Sequence, residues 1–110
     1  MEVTRGDIVV VATKGAYTSK PRPALVVQSD LFNPTHASLT LCPITSDCVD
    51  APLFRITLPP GDRTGLQAPS QVMIDKVVSV PRGSIGRTIG RCDAAELHTV
   101  DDALREWLSL

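Results

Sequence analysis

The chain has 110 residues, of which 43% are hydrophobic and 21% charged, and its formal net charge is −1 at pH 7. This length suits a single domain over residues 1–110, with a core large enough to fold without disulfides or metals. The apolar runs are too short to span a bilayer, and the N-terminus lacks a basic segment followed by an apolar one. We therefore expect a cytoplasmic protein with no membrane partner.

Three cysteines, Cys42, Cys48 and Cys92, occur without C-x-x-C spacing. This odd number and spacing argue against a zinc site and against a disulfide framework. We expect small buried or half-buried thiols, with Cys48 in a polar loop where it could react. The sequence predicts no metal and no other cofactor.

The first predicted element is a strand over Ile8–Ala12, because four β-branched residues in a row favour a strand buried on both faces. After a loop, Arg22–Gln28 predicts a second strand, antiparallel to the first. Arg22 lies between Pro21 and Pro23, which stiffen the backbone from which its side chain leaves. The sequence thus predicts a cation held in place at the start of a buried strand.

Four further strands are predicted along the rest of the chain: Ser38–Ile44, Leu53–Leu58, Gln71–Val80 and Ile85–Arg91. Pro43 disturbs the end of the third strand, and the polar residues Thr45, Ser46 and Asp47 follow at once. Short strands separated by turns rich in proline and glycine are typical of a small curled sheet or barrel.

The C-terminal residues change to a helical period. Asp93 with Glu96 three residues later predicts the start of a helix with a capping box. Apolar residues then fall on one face at helical spacing, and they are Leu97, Val100, Leu104, Trp107 and Leu108. We expect this stripe, including Trp107, to pack on the sheet as a single capping helix.

Charges are unevenly distributed along this nearly neutral chain. Residues 13–22, which include Lys20, and residues 76–91, which include Lys76, carry basic side chains and no acid. Residues 93–106 are mainly acidic. This layout favours either a local surface for an anionic ligand or ordinary solvated faces.

Several of these motifs together resemble the MazF/PemK toxin family. They appear in order along nearly the whole chain: Arg5-Gly6-Asp7-Ile8, Arg22-Pro23-Ala24-Leu25-Val26-Val27, Pro43-Ile44-Thr45-Ser46, Thr64-Gly65-Leu66, Gln71-Val72-Met73-Ile74-Asp75-Lys76-Val77 and Ile89-Gly90-Arg91. The resemblance implies an SH3-like β-barrel and a homodimer. It also implies a ribosome-independent endoribonuclease that cuts single-stranded mRNA at short motifs, and a cognate antitoxin that covers the RNA groove.

The resemblance also implies site residues. The arginine that the family has after the first loop corresponds to Arg22, and its threonine after the third strand corresponds to Thr45. A carboxylate used by some members corresponds to Asp75, but the arginine that accompanies it falls at Met73, so this pair is incomplete. A Glu-Gln pair that many members carry in the first loop is replaced by Tyr17-Thr18.

The residues suit metal-independent RNA cleavage, in which a 2′-hydroxyl attacks the adjacent phosphate. A guanidinium such as that of Arg22 can pair with two phosphoryl oxygens of the transition state. Hydroxyls of Thr45 and Ser46 can hold the scissile phosphate in line, or they can simply form a turn that ends the strand. Asp75 is a candidate base toward the 2′-hydroxyl, or a paired structural charge.

For RNA binding we predict Lys20, Ser46, Tyr17 and Lys76, with Tyr17 stacking on a splayed base. Phe32 could stack in the same way or belong to the core. His36 and His98 match no residue on which the family relies, so we expect both to be exposed.

Two other functions are considered. The same barrel family includes non-catalytic toxins that poison gyrase through a tryptophan near a C-terminal Gly-Ile, whereas this chain ends Trp107-Leu108-Ser109-Leu110. The third possibility is a small barrel that binds a peptide or nucleic acid without activity.

Overall fold

The computed structural model describes residues 2–12 and 20–110. In this part of the chain there are seven strands, two short 3₁₀ turns (Ile74–Lys76 and Arg82–Ser84) and one α-helix. The strands are β1 (Asp7–Val11), β2 (Arg22–Val26), β3 (Ser38–Thr45), β4 (Arg55–Leu58), β5 (Ser70–Met73), β6 (Val78–Pro81) and β7 (Ile85–Arg91), and the helix is α1 (Ala94–Leu108). Within residues 2–12 and 20–110, no helix has the length and apolar character needed to cross a bilayer.

The seven strands form one antiparallel sheet in the order β4-β5-β3-β2-β1-β7, and β6 also pairs with β3. One edge of β3 pairs with β2, whereas its other edge pairs first with β6 and then with β5. Among the described residues, no pairing joins the end strands β4 and β7. The predicted class, mainly β with a capping helix, is therefore confirmed, but the curled sheet is not a closed barrel.

The predicted strand Gln71–Val80 is wrong in one respect, because it is two strands separated by a 3₁₀ turn. The N–H of Val77 donates to the carbonyl of Ile74 at 3.2 Å and closes this turn. Ile74 is fully buried, so the turn is drawn into the core rather than continuing along β3. The break lets the two halves pair with different parts of β3.

Strand β1 starts and ends one residue earlier than predicted, β3 ends one residue later at Thr45, and two other boundaries shift by two residues. Strand β2 ends at Val26 and β4 begins only at Arg55. Before β4, the N–H groups of Phe54 and Arg55 both donate to the carbonyl of Ala51, which makes a turn of the residues predicted to start the strand.

Alternating residues of the strands build an apolar cluster on each face of the sheet. The cluster beneath α1 includes Ile8, Leu25, Cys42, Ile44, Ile56, Leu58, Val72, Ile74, Val100 and Ala103. The cluster on the opposite face comprises Val3, Val9, Val11, Ala24, Val26, Leu39 and Leu41. The prediction that β1 is buried on both faces is thus confirmed, since neighbouring residues of β1 enter different clusters.

Helix α1 has the predicted capping box. The N–H of Glu96 donates to Oδ1 of Asp93 at 2.8 Å, and the N–H of Asp93 donates to Oε1 of Glu96 at 2.9 Å. Val100 and Ala103 are buried against the sheet, but Trp107 is 48% exposed, and its ring lies 5.8 Å between centroids from that of Phe54 in the turn before β4. The expectation of a buried Trp107 is therefore wrong, because the last helical turn extends beyond the cover of the sheet.

Much of the acidic C-terminal segment is used to attach α1 to the rest of the fold. Asp101 pairs with Arg5, whose Nε also donates to the carbonyl of Val27 at 2.9 Å. Glu96 pairs with Arg63 at 2.6 Å, which joins the helix to the loop that precedes β5. These carboxylates therefore have structural partners within the chain.

The loop over residues 59–69 lies directly against β7. Gly65 has φ +73°, and a Cβ there would lie 2.1 Å from the carbonyl oxygen of Ile89. A Cβ on Gly90 would lie 2.2 Å from the carbonyl carbon of Thr64. The N–H of Arg91 donates to the carbonyl of Arg63 at 2.8 Å, so backbone contacts fix this loop on β7.

Because of this contact, Gly90→Ala is expected to lower the free energy of unfolding by about 1–3 kcal/mol, the usual cost of forcing extra volume into a packed site. Urea unfolding followed by circular dichroism would measure the change. Gly83→Ala is the matched control, since a Cβ there has no neighbour within 4 Å. Equal stability of the two variants would contradict the proposed backbone contact.

Candidate functional site

A groove of about 580 Å³ lies where the ends of β2 and β3 meet β5 and the preceding loop. Its lining comes from all four of these segments: Arg22, Pro23, Pro43, Ile44, Thr45, Ser46, Leu66, Gln67, Ala68, Ser70 and Met73. The groove thus brings together Arg22, Thr45 and Ser46, three residues that the sequence predicted as a site.

The strand register explains why these residues meet. Ala24 of β2 lies opposite Pro43 of β3, so the same register two residues further along places Arg22 opposite Thr45. Thr45 in turn lies opposite Gln71 of β5. Since residues opposite one another in a sheet share a face, Arg22, Thr45 and Gln71 form one row across three strands.

Arg22 is the exposed first residue of β2, and the next residues of that strand are progressively buried. Among the residues that the structure describes, no carboxylate lies within ion-pair distance of Arg22. Its base is anchored by a buried strand while its guanidinium lies at the groove. The arrangement suits a fixed cation that meets an anionic ligand.

Thr45 and Ser46 begin a tight turn at the end of β3. The N–H of Asp47 donates to Oγ1 of Thr45 at 3.0 Å, so the turn predicted as one alternative is present. A hydroxyl that accepts one hydrogen bond still has its proton to donate. The turn therefore leaves Thr45 able to donate a hydrogen bond into the groove, and Ser46 beside it is exposed.

Asp75 lies in the 3₁₀ turn after β5, and it is not among the residues that line the groove. Arg55 of β4 pairs with it, with 3.1 Å between Nε and Oδ1 and 3.4 Å between Nη2 and Oδ2. Both side chains are mostly buried. Asp75 therefore has an arginine partner, but this arginine comes from another strand and position 73 is a methionine, as the sequence indicates.

The remaining predicted residues are more scattered. Lys20 is exposed just before β2, and Lys76 is exposed at the end of the turn that holds Asp75. Neither lines the groove, and Tyr17 lies outside the described residues. Phe32 is half exposed, away from the groove lining, and the histidines at positions 36 and 98 are exposed as expected.

Sequence reasoning missed one wall of the groove, which is formed by Leu66, Gln67, Ala68 and Ser70 before and at the start of β5. Thr64 holds this wall, since its hydroxyl donates to the carbonyl of Pro59 at 2.7 Å. The available signal was a polar Gln67 directly after a glycine-containing turn. Only the long-range contact of that turn with β7 places it beside Arg22.

The cysteines differ sharply in environment. Burial raises the pKa of the Cys42 thiol and of the Cys92 thiol to about 12, so both are protonated at neutral pH. Cys48 is exposed near the groove, and its thiol lies 3.6 Å from the carbonyl oxygen of Pro69. The prediction of buried thiols is thus confirmed for two of the three residues.

Comparison with known proteins identifies this architecture. A family model described as a PemK-like, MazF-like toxin of type II toxin–antitoxin systems matches residues 4–108. The chain belongs to this family. Membership of the MazF/PemK family confirms the resemblance seen in the sequence motifs.

Two curated relatives of the MazF/PemK family match almost the whole chain. "Probable endoribonuclease MazF" of Mycolicibacterium smegmatis is 46% identical, over 96% of each chain. "Endoribonuclease MazF9" of Mycobacterium tuberculosis is 33% identical, again over 96% of each chain. A solved MazE–MazF structure from Deinococcus radiodurans has a TM-score of 0.85 at 23% identity, covers 100% of this chain and 98% of that one, and supports the fold.

The contrast among the cysteines predicts that one thiol reacts in the folded protein and three react after denaturation. Thiolate is the reactive form, and the buried thiols at positions 42 and 92 are both protonated and inaccessible. Titration with a chromogenic disulfide reagent at pH 8, with and without guanidinium, would count them. Cys48→Ser should abolish the reaction of the folded protein; two or more reactive thiols in the native state would contradict the burial described.

Proposed function

We propose that this toxin is a sequence-specific endoribonuclease that cuts single-stranded mRNA without a metal ion, through its one MazF/PemK-like domain. Relatives that are 46% and 33% identical are named as endoribonucleases. The observation that carries the proposal is the groove in which Arg22 lies in one row with Thr45. This arrangement offers a fixed cation and a hydroxyl to one phosphate.

In the proposed reaction the 2′-oxygen of a nucleotide attacks the adjacent phosphorus and the bond from phosphorus to the 5′-oxygen breaks. The products are a 2′,3′-cyclic phosphate and a free 5′-hydroxyl, with one proton lost from the 2′-oxygen and one gained by the 5′-oxygen. Negative charge grows on the phosphoryl oxygens in the transition state. Arg22 stabilises this charge, and because its anchor is already fixed, little reorganisation is needed at the moment of reaction.

Thr45 donates a hydrogen bond to a phosphoryl oxygen and keeps the phosphate in line with the attacking oxygen, and Ser46 binds the same backbone beside it. Lys20, Lys76 and Tyr17 bind the flanking nucleotides in this proposal, the lysines through phosphate charge and the tyrosine by stacking. The exposure of both lysines near the ends of groove-forming segments supports this assignment.

Asp75 is proposed as the base that takes the 2′-proton. Its carboxylate is oriented by Arg55 within two residues of Met73, which lines the groove. The same ion pair also serves the fold, because it fixes the turn between β5 and β6. The catalytic and structural roles of Asp75 can therefore be distinguished only by measuring cleavage rates.

The family description implies an antitoxin, and one structural neighbour is a MazE–MazF complex. We therefore propose a cognate antitoxin that inhibits by covering the groove, and a homodimeric toxin. Since mRNA is the proposed substrate, the site of action is the cytoplasm.

The gyrase-poisoning alternative has less support. The exposure of Trp107 removes one argument against it, because gyrase poisoning needs an accessible tryptophan. The named relatives, however, are endoribonucleases. The groove at Arg22 also lies on the sheet, separate from the C-terminal turn that carries Trp107.

Purified protein with a mixed pool of single-stranded RNA in EDTA should cut at a short motif, and Arg22→Ala should cut about 10²–10³-fold more slowly, the usual loss when one transition-state donor is removed. Arg87→Ala, at an exposed position of β7 outside the groove lining, is the control and should retain activity. Wild-type protein that leaves RNA intact but blocks supercoiling by gyrase would refute the proposal.

Asp75→Asn should slow cleavage about 10²–10⁴-fold, the usual contribution of a general base. Arg55→Met breaks the same ion pair but keeps the carboxylate, so it should lower stability and slow cleavage far less. Single-turnover rates and urea unfolding would compare the two variants. Unchanged cleavage by Asp75→Asn would leave Asp75 as a structural charge only.

A further inference from the structure

Gln71 of β5 is 7% exposed, and both polar atoms of its side chain are hydrogen-bonded. Its Nε2 donates to the carbonyl oxygen of Val49 at 2.8 Å, and its Oε1 accepts from the N–H of Val49 at 3.0 Å. The amide thus pairs with both backbone groups of one residue, as a neighbouring strand would. Val49 is 22 residues away in sequence, so this contact fixes a distant loop.

The backbone of Gln71 also lies opposite Thr45 in the pairing of β5 with β3. One residue therefore holds both ends of the segment 45–49, through its main chain at Thr45 and through its side chain at Val49. Inside the segment, the hydrogen bond from Asp47 to Thr45 shapes the turn. Ser46 lies at the exposed bend between these two attachments and lines the groove.

We propose that Gln71 is a positioning residue that holds Ser46, and with it the segment 45–49, in the geometry needed for cleavage. The inference rests on the proposed endoribonuclease function.

The surroundings of Val49 indicate that this contact orders the loop more than it stabilises the fold. The carbonyl of Val49 also accepts from the N–H of Ala51 at 3.2 Å, and the residue is 47% exposed. Loss of the glutamine amide therefore takes the partner from the Val49 N–H but leaves the carbonyl with one, which limits the cost of unsatisfied backbone groups. What remains is a segment attached at Thr45 and by the weak thiol contact of Cys48 with the Pro69 carbonyl, but no longer at Val49, and Ser46 shares the added freedom.

The test compares Gln71→Met, which keeps the length but loses both hydrogen bonds, with Gln28→Met. Gln28 is the control, because its amide also holds backbone away from the groove, donating to the carbonyl of Ser38 at 3.2 Å and accepting from the N–H of Thr40 at 3.1 Å. Its Nε2 also donates to the buried Asn33 at 3.0 Å, so Gln28→Met additionally controls for a loss of stability. Amide hydrogen exchange at Val49 should be slow in the wild type and in Gln28→Met, and fast in Gln71→Met. We call the two hydrogen bonds between Gln71 and Val49 the Val49 clamp. Fast exchange of the Val49 amide in the wild-type protein would by itself show that this clamp does not form.

Single-turnover cleavage at saturating RNA should fall up to about 100-fold in Gln71→Met, the cost of a misplacement of about 1 Å, and remain near wild type in Gln28→Met. In a Ser46→Ala background the same Gln71 substitution should cost much less, because its effect passes through Ser46. Additive losses, or a Gln71→Met protein that loses Val49 protection but cuts at the wild-type rate, would overturn the inference. If the wild-type protein cuts no RNA, the proposed function is refuted. In that case hydrogen exchange at the Val49 amide still tests whether Gln71 orders the segment 45–49.

Discussion

Strand β3 pairs with three other strands, and the register of those pairs decides where each residue of the groove lies. Its pairing with β2 places Arg22 beside Thr45, and its pairing with β5 places Gln71 beside Thr45 on the other side. A slip of one residue in either pair would turn these side chains to the opposite face. The apolar clusters on both faces resist such a slip, so the core that stabilises the sheet also specifies the site.

Several described arginines pair with carboxylates and build the fold, whereas the arginine at the groove does not. Arg5, Arg63 and Arg91 have carboxylate partners, and Arg55 is paired with Asp75. Arg22 differs, since none of the described carboxylates is near it. The near-zero net charge of the chain therefore coexists with a local positive site, which a count of charges over the whole sequence conceals.

The local features were predictable from sequence because their causes are local. β-Branched runs and the pair Asp93 and Glu96 identify strands and a helix start without tertiary information. The turn after Met73 was missed, since apolar residues on both sides of it read as one strand. The partner of Asp75, the clamp on Val49 and the exposure of the last helical turn all depend on contacts between distant segments, and spacing alone does not encode them.

The backbone of Gly65 packs directly on Ile89, and that of Gly90 packs on Thr64. This packing fixes one wall of the groove against β7, and the hydrogen bonds between Gln71 and Val49 hold the segment that carries Ser46. In the proposed reaction the loss of conformational entropy therefore falls on the RNA, which must give up its own torsional freedom to fit. A cleavage motif held in a hairpin stem must first melt its base pairs, so the secondary structure of a transcript competes directly with the toxin.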